Sequence, residues 1–360
     1  MLWPVCILTA PEVKYSLAME RGNKMTGREI IKRVIENDNP PRIGFNFISP
    51  EWSDIDGVAG ARLKVSPEIE RFRDFDRHGE LLSQVPGFSG DVKMDALGNI
   101  YGRLGGRTKG ECIKGAMSDW GALASYRLPE LDMSYYAELK QTLADTSKFV
   151  IAGLPFGIFS AFRDARLMPN ALMDTIAEPE NAAAFLDLVA DADILACGGL
   201  KETGADAVIF CDDWGTQDRT FISPDTFEKL FLPAYTKLCQ AAHSAGLKVI
   251  LHSCGKNNAF MSMFAEAGID SLQFDQQDIY PLEWLADNFA GKINFYLPVD
   301  IQTIMTTGNR ELIKNRAKYM TDLFRMRGAS IIAKDYPTWG DIGVREEWAE
   351  WAREAFIENA

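Results

Sequence analysis

The residues best suited to chemistry in this 360-residue chain lie in His252-Ser253-Cys254-Gly255. The chain has three histidines, His78, His243 and His252, and only the last has a cysteine two positions away. On an extended segment an i, i+2 spacing turns both side chains to one side. An imidazole nitrogen beside a thiolate suits zinc, a borderline-soft ion that takes N and S ligands tetrahedrally. Asp275 and Asp335 each follow a later apolar run, and either could complete a site of three protein ligands with one position open. The competing reading is that His252 and Cys254 only pack at a strand end, while Asp275 and Asp335 cap the helices that follow.

A second constellation is Asp212-Asp213-Trp214-Gly215. Two carboxylates at one strand exit, Asp212 and Asp213, suit substrate positioning or proton handling, because paired carboxylates push one pKa upward. The alternative is a turn with one exposed aspartate and one cap. Cys211 reads as a small buried apolar residue. Cys112, Cys197 and Cys239 read as structural, and His78 and His243 as solvated helix residues.

These residues need elements to hold them. Short apolar runs predict strands over 43–47, 149–154, 207–211, 248–252, 271–275, 293–297 and 330–333. Helices are expected between them, over 223–245, 257–267, 280–289 and 309–327. Ser223-Pro224 marks one start, and Gly246, Gly268, Gly291 and Gly328 mark the stops. The cadence implies βαβ units around a parallel sheet. Seven strands are legible, and the eighth is placed within the irregular 85–130 region. There, 93–95 and 99–103 read as a hairpin turning at Leu97-Gly98. The fold expected is a (β/α)8 TIM-type barrel with an elaborated N-terminal region, in which residues that end strands share one rim. An open doubly wound sheet is the competitor, but no G-x-G-x-x-G opens a helix after a strand.

Composition sets the outer bounds. At 47% hydrophobic and 25% charged residues, the chain is neither disordered nor fibrous. A net charge of −13 argues against nucleic-acid and membrane-surface partners. Six cysteines without a C-x-x-C pair are too sparse for a disulfide framework, so a reducing cytoplasm is expected. Thr26 and Glu29 form a T-x-x-E capping box. A single folded body over 25–360 is therefore expected, with residues 1–24 as an N-terminal extension. That extension lacks the basic n-region and cleavage site of a signal peptide.

The stretch from Asp206 to Lys256, with D-D-W-G-T-Q, I-S-P-D-T-F, L-P-A-Y and K-V-I-L-H-S-C-G, resembles the uroporphyrinogen decarboxylase superfamily. The similarity runs on through Q-F-D-Q at 273–276 and P-V-D-I-Q at 298–302, covering roughly residues 200–335. The resemblance implies a distorted (β/α)8 barrel. One branch of the family decarboxylates a tetrapyrrole without a cofactor, using an arginine-rich N-terminal motif. Here Asn46-Phe47-Ile48-Ser49-Pro50-Glu51-Trp52 carries no arginine pair. The other branch contains corrinoid-linked methyltransferases that bind zinc through H-x-C and a later cysteine. His252 and Cys254 match the H-x-C, while 331–337 holds no cysteine and offers Asp335 instead. Asp275 falls where a related methionine synthase carries a glutamate ligand. The resemblance therefore implies a zinc-dependent methyltransferase that exchanges a methyl group between a small methylated compound, such as an aromatic methyl ether, and a corrinoid cofactor (methylcobalamin) on a partner protein. On this reading Asp212 and Asp213 act in catalysis. Trp214, Gln217, Tyr296 and Tyr336 contact the substrate, and His252, Cys254, Asp275 and Asp335 supply the metal ligands. The alternatives are a metal-free decarboxylase and a non-catalytic tetrapyrrole- or corrinoid-binding protein.

Overall fold

The computed structural model describes residues 25–105 and 109–360; the expected N-terminal extension lies outside the described residues. Eight parallel strands form one sheet: β1 (Gly44–Asn46), β2 (Ile55–Ala59), β3 (Phe149–Gly153), β4 (Ala207–Cys211), β5 (Lys248–His252), β6 (Ser271–Gln273), β7 (Asn294–Leu297) and β8 (Ile331–Lys334). Neighbours run β1-β8-β7-β6-β5-β4-β3-β2, so the sheet curls into a nearly closed barrel with β1 and β2 flanking the seam.

Seven of these strands are the runs read from the sequence. The eighth was misplaced: it is β2, not part of the 85–130 region. Its sequence, Ile-Asp-Gly-Val-Ala, buries only Ile55. It also follows β1 without a helical crossover, across the single turn Pro50–Trp52. A strand at a seam need not be apolar on both faces, so the search for continuous apolar runs passes over it. Asp54 sews that seam. Its N–H donates to the Phe45 carbonyl at 2.8 Å, and its carboxylate accepts the Phe45 N–H at 2.9 Å. Two further bonds of 2.7 Å come from the Arg42 guanidinium.

The lower end of the barrel is stoppered. Helix α1 (Gly27–Glu36) starts with the expected capping box: the Glu29 N–H donates to Thr26 Oγ1 at 3.2 Å, and the Glu29 carboxylate accepts the Thr26 N–H at 2.7 Å. Its buried stripe, Ile30, Ile31, Val34 and Ile35, packs with the inward residues Ile55, Phe149, Ile151, Ala207, Ile209, Ile250, Tyr296 and Ile332. Each buried isoleucine, valine or phenylalanine among them contributes roughly 1.5–3 kcal/mol. The apolar plug leaves the opposite ends of the strands, where the polar residues gather, as the rim open to chemistry.

The helices follow the expected order with two adjustments. The helix over 223–245 is two helices, Pro224–Leu230 and Leu232–Ser244. Pro233, with no N–H to give and a ring that crowds the preceding turn, breaks it there. Residues 257–260 stay outside the helix Met261–Ala267, because Asn257 turns its amide back to the Ser253 carbonyl and hydroxyl at 3.0 and 2.8 Å. The expected hairpin is present as Asp91–Met94 paired antiparallel with Ile100–Arg103. A third strand, Glu111–Lys114, extends it. This insertion has its own small core of Phe72, Leu81, Val85, Val92 and Ile100, and rests on the helix Ile158–Arg166 through Tyr101 and Asp164, 2.6 Å apart. Among the described residues no helix is long and apolar enough to cross a membrane.

Candidate metal centre

The register of the barrel builds the site. β4 and β5 pair over five rungs, ending with Cys211 opposite His252. β5 and β6 pair so that His252 stands opposite Gln273. Every second residue of a strand faces the same way, so Cys211 and His252 continue the inward rows of Ile209 and Ile250 up to the mouth.

The loops that leave β4 and β5 lie backbone against backbone. A Cβ on Gly255, whose φ is +83°, would fall 2.0 Å from the Gly215 carbonyl oxygen. A Cβ on Gly215 would fall 2.4 Å from the Lys256 nitrogen. Both glycines are therefore needed for the approach that brings Asp-Asp-Trp-Gly alongside His-Ser-Cys-Gly. Asp213 locks the two together: its Oδ1 accepts the Cys254 N–H at 2.8 Å and lies 3.5 Å from His252 Nε2.

Two overlapping donor groups result. His252, Cys254 and Asp275 place their nitrogen, sulfur and oxygen within 4.8 Å of one another, and so do Cys211, Asp213 and His252. Donors around a tetrahedral zinc stand roughly 3.3–3.8 Å apart, given bonds of about 2.0–2.3 Å. Small side-chain adjustments would close either group on one ion, and the N, S and O donors are the types zinc takes.

Behind the donors runs a buried polar chain. His252 Nδ1 is hydrogen-bonded to Gln273 Oε1. Gln273 Nε2 donates to Asp275 Oδ1 at 2.8 Å, and Lys334 Nζ donates to the same oxygen at 2.7 Å. With Gln273 Oε1 accepting from Nδ1, Nε2 is the nitrogen left to meet an ion, the way a carboxylate or carbonyl orients a ligating histidine. Burial pushes the Asp275 carboxyl up, but the Lys334 ammonium and then His252 outweigh it, and the group stays below the usual carboxylate range. Burial opposes a charge on His252, yet the thiols of Cys211 and Cys254 beside it carry its pKa well above the ordinary imidazole value. Burial raises the Cys211 thiol, with His252 pulling the other way.

The other expected site residues divide. Tyr336 is half-buried at the mouth, its phenol raised by burial and by the nearby Asp275. Asp335 is not brought to the cluster. Its carboxylate accepts from Arg353 Nε at 3.0 and 3.1 Å and from the Ile48 N–H at 2.8 Å, tying the C-terminal helix Glu346–Glu358 to the exits of β1 and β8. Asp212 is fully buried and faces a helix start, accepting from Phe159 N–H at 3.0 Å, Ser160 N–H at 2.8 Å and the Tyr235 hydroxyl at 2.5 Å. Burial lifts it to about 6 against those bonds. Trp214 is fully buried, stacked on Phe159 at 4.0 Å, and its indole N–H donates to Tyr235 at 2.9 Å. Gln217 is on the exposed part of its loop. Tyr296 is buried within the barrel and hydrogen-bonded to Asn46. Of the expected set, the structure thus gathers His252, Cys254, Asp275, Asp213 and Tyr336 at the mouth. The sequence reading took Cys211 for a small buried apolar residue and gave Gln273 and Lys334 no role. Their signal was parity: each lies two residues beyond an inward position on its own strand.

The profile of the uroporphyrinogen decarboxylase (URO-D) family matches residues 117–329, which is more than half of the chain and holds β3 to β7. The chain belongs to the URO-D family. Within this family member, Cys211, His252, Cys254 and Asp275 fall inside the matched region, while Lys334 and Asp335 lie beyond it. A stretch of 92 residues is 30% identical to the methylcobamide:CoM methyltransferase MtaA of Methanosarcina barkeri, covering 26% of each protein. A stretch of 144 residues is 24% identical to the methylcobamide:CoM methyltransferase MtbA of Methanosarcina acetivorans, covering 40% of this chain and 41% of that one. These matches span 26% to 41% of the curated relatives' length. The solved structure of a methyltransferase from Methanosarcina mazei superposes with a TM-score of 0.63 at 14% identity, over 93% of this chain and 99% of that one, which establishes the shared barrel fold.

Proposed function

We propose that this URO-D family member is a zinc-dependent methyltransferase that exchanges a methyl group between a small methylated compound, such as an aromatic methyl ether, and a corrinoid carried by a partner protein. The observation that supports it most is the His252–Cys254 pair with Asp275 beside it at the barrel mouth. The similarity of part of the chain to methylcobamide:CoM methyltransferases agrees with it.

His252 and Cys254 would hold the ion, with a third donor drawn from the clustered Asp275, Asp213 and Cys211; Asp335 takes no part. Bound zinc would supply Lewis acidity at the substrate heteroatom, which otherwise leaves poorly as an alkoxide or phenoxide. A reduced corrinoid would supply the electron pair for the new bond to the methyl carbon, and the pair of the broken bond would stay on the heteroatom. With its Nδ1 hydrogen-bonded to Gln273, His252 would offer Nε2 to the ion. Lys334 holds Asp275 ionised and in place. Tyr336 lines the open side, where its ring can exclude water.

The test is metal analysis of the purified chain beside Cys254→Ser, together with methyl transfer from methoxylated compounds to free corrinoid, before and after chelation. One zinc per chain, lost in the variant, and activity that falls on chelation and returns with zinc are expected. A metal-free chain with full methyl-transfer activity refutes the zinc mechanism, and a metal-free chain with no methyl transfer favours the decarboxylase alternative.

A further inference from the structure

One stretch of the barrel wall carries almost no side chains. On β2 the inward row is Ile55, Gly57 and Ala59, and on β3 it is Phe149, Ile151 and Gly153. Val58 points the other way, into the core beneath the helices. The register sets Gly57 beside Ile151 and Ala59 beside Gly153. Beyond Ile55 and Ile151, therefore, nothing larger than a methyl group projects inward from either strand. Gly153 pairs in turn with Ile209 on β4, one inward position below Cys211, and Cys211 stands opposite His252. The bare wall thus adjoins the donor cluster.

The fold does not ask for glycine at either place. Neither Gly57 nor Gly153 has a positive φ, and β2 and β3 pair without a register shift. Among the described residues, a Cβ on Gly57 would meet no atom within 4 Å, and one on Gly153 only the Val58 carbonyl oxygen at 3.8 Å. Gly60 is different, since its Cβ would fall 2.5 Å from the Gly153 carbonyl oxygen. A glycine inside a strand weakens it, and where neither a bulge nor a neighbouring backbone requires one, it marks close approach by a ligand. Gly57 and Ala59 are exposed and Gly153 is half-buried, so the space before them opens to solvent.

We propose that this bare wall is the substrate-binding face, and that it takes the planar ring of an aromatic methyl ether, laid flat on the backbone of β2 and β3 with its methoxy group toward Cys211 and His252. This deepens the methyl-transfer reading above and rests on it. A flat ring needs a surface free of side chains, which a compact donor such as methanol does not. The edges of the wall, Ile151, Ile209 and Ala59, are apolar, which suits an aryl ring better than a charged amine.

Titration calorimetry of the purified chain with 2-methoxyphenol, without corrinoid, reads binding alone, because no methyl acceptor is present. The unaltered chain is expected to bind it. Gly57→Val and Gly153→Val should bind it roughly tenfold more weakly, the scale on which overpacking acts, with no loss of Tm. Gly198→Ala, at an exposed position of the helix Pro179–Leu200, should bind as the unaltered chain does. Gly153→Ala gives a smaller weakening and decides the matter where a valine variant does not fold. No binding by the unaltered chain, or equal binding by folded wall variants, overturns the assignment. Zinc content and methyl transfer to free corrinoid, measured on the same proteins, keep the two readings apart. Zinc-dependent transfer with undiminished binding in the variants sinks this inference alone. Ring binding that the variants lose, in a chain that transfers no methyl group, sinks the methyl-transfer reading and leaves the wall as a ring-binding face.

Discussion

Lys334→Met isolates what holds Asp275 in place. The Lys334 ammonium and the Asp275 carboxylate are both buried, with 3% and 7% of their side chains exposed and 2.7 Å between them. Methionine fills a similar volume but leaves the carboxylate with only the Gln273 amide. Removing one member of a buried pair costs about 3–5 kcal/mol, because the survivor keeps its desolvation penalty. Spread over an unfolding entropy of roughly 0.7–0.8 kcal/mol/K for a chain of this size, that lowers Tm by about 4–7 °C. Calorimetry or urea unfolding with a chelator present measures it. The double variant Lys334→Met/Asp275→Leu removes the stranded charge and should recover most of the loss, since replacing a whole buried pair by apolar residues is often neutral. Zinc should also shrink the Lys334→Met deficit, because the ion supplies a positive charge nearby. A single variant within about 0.5 kcal/mol of the unaltered chain, or a double variant no more stable than the single, would refute this account.

The remaining predictions are these. Asp335→Ala should cost about 2–4 kcal/mol by freeing Arg353, while zinc stoichiometry stays unchanged; loss of the metal would restore Asp335 as a ligand. Gly255→Ala should lower Tm by several degrees and weaken zinc retention, since its Cβ would run into the Gly215 carbonyl at a φ of +83°; unchanged unfolding and metal content would rule that contact out. Asp212, raised to about 6 in the fold, binds its proton more tightly there than in the unfolded chain, so its contribution is full below about pH 4 and is lost as pH rises toward 6. The loss is about 3 kcal/mol, and subtracting the stability–pH curve of Asp212→Asn should reveal that slope; a flat difference between pH 4 and 7 contradicts it.

Strands buried on both faces were the most legible part of the fold. β4 and β5 were readable to the residue because Ala-Val-Ile-Phe and Val-Ile-Leu are continuous apolar runs. β2 was not, because a seam strand with one buried side chain carries no such pattern. At the site, the H-x-C pair announced itself by residue type. Asp335 misled because position at a strand end does not say which way a side chain turns, and here it turns outward to Arg353. Asp212 and Trp214 lie buried behind the mouth for a related reason: a carboxylate and an indole beside a strand exit are equally suited to capping a helix and filling a core. Cys211 was taken for a buried apolar residue because its place opposite His252 depends on which strand lies next to which, a long-range fact that no local window contains.

The helix stoppering the lower end has a consequence for traffic. With that end sealed, a small molecule and a carrier protein would have to use the same doorway. If the methyl-transfer reading holds, a carrier protein seated over the mouth would shut the compound in, or shut it out. The compound would then have to enter before the carrier docks and depart after it lifts, an order of encounters set by the architecture before any side chain at the rim is considered.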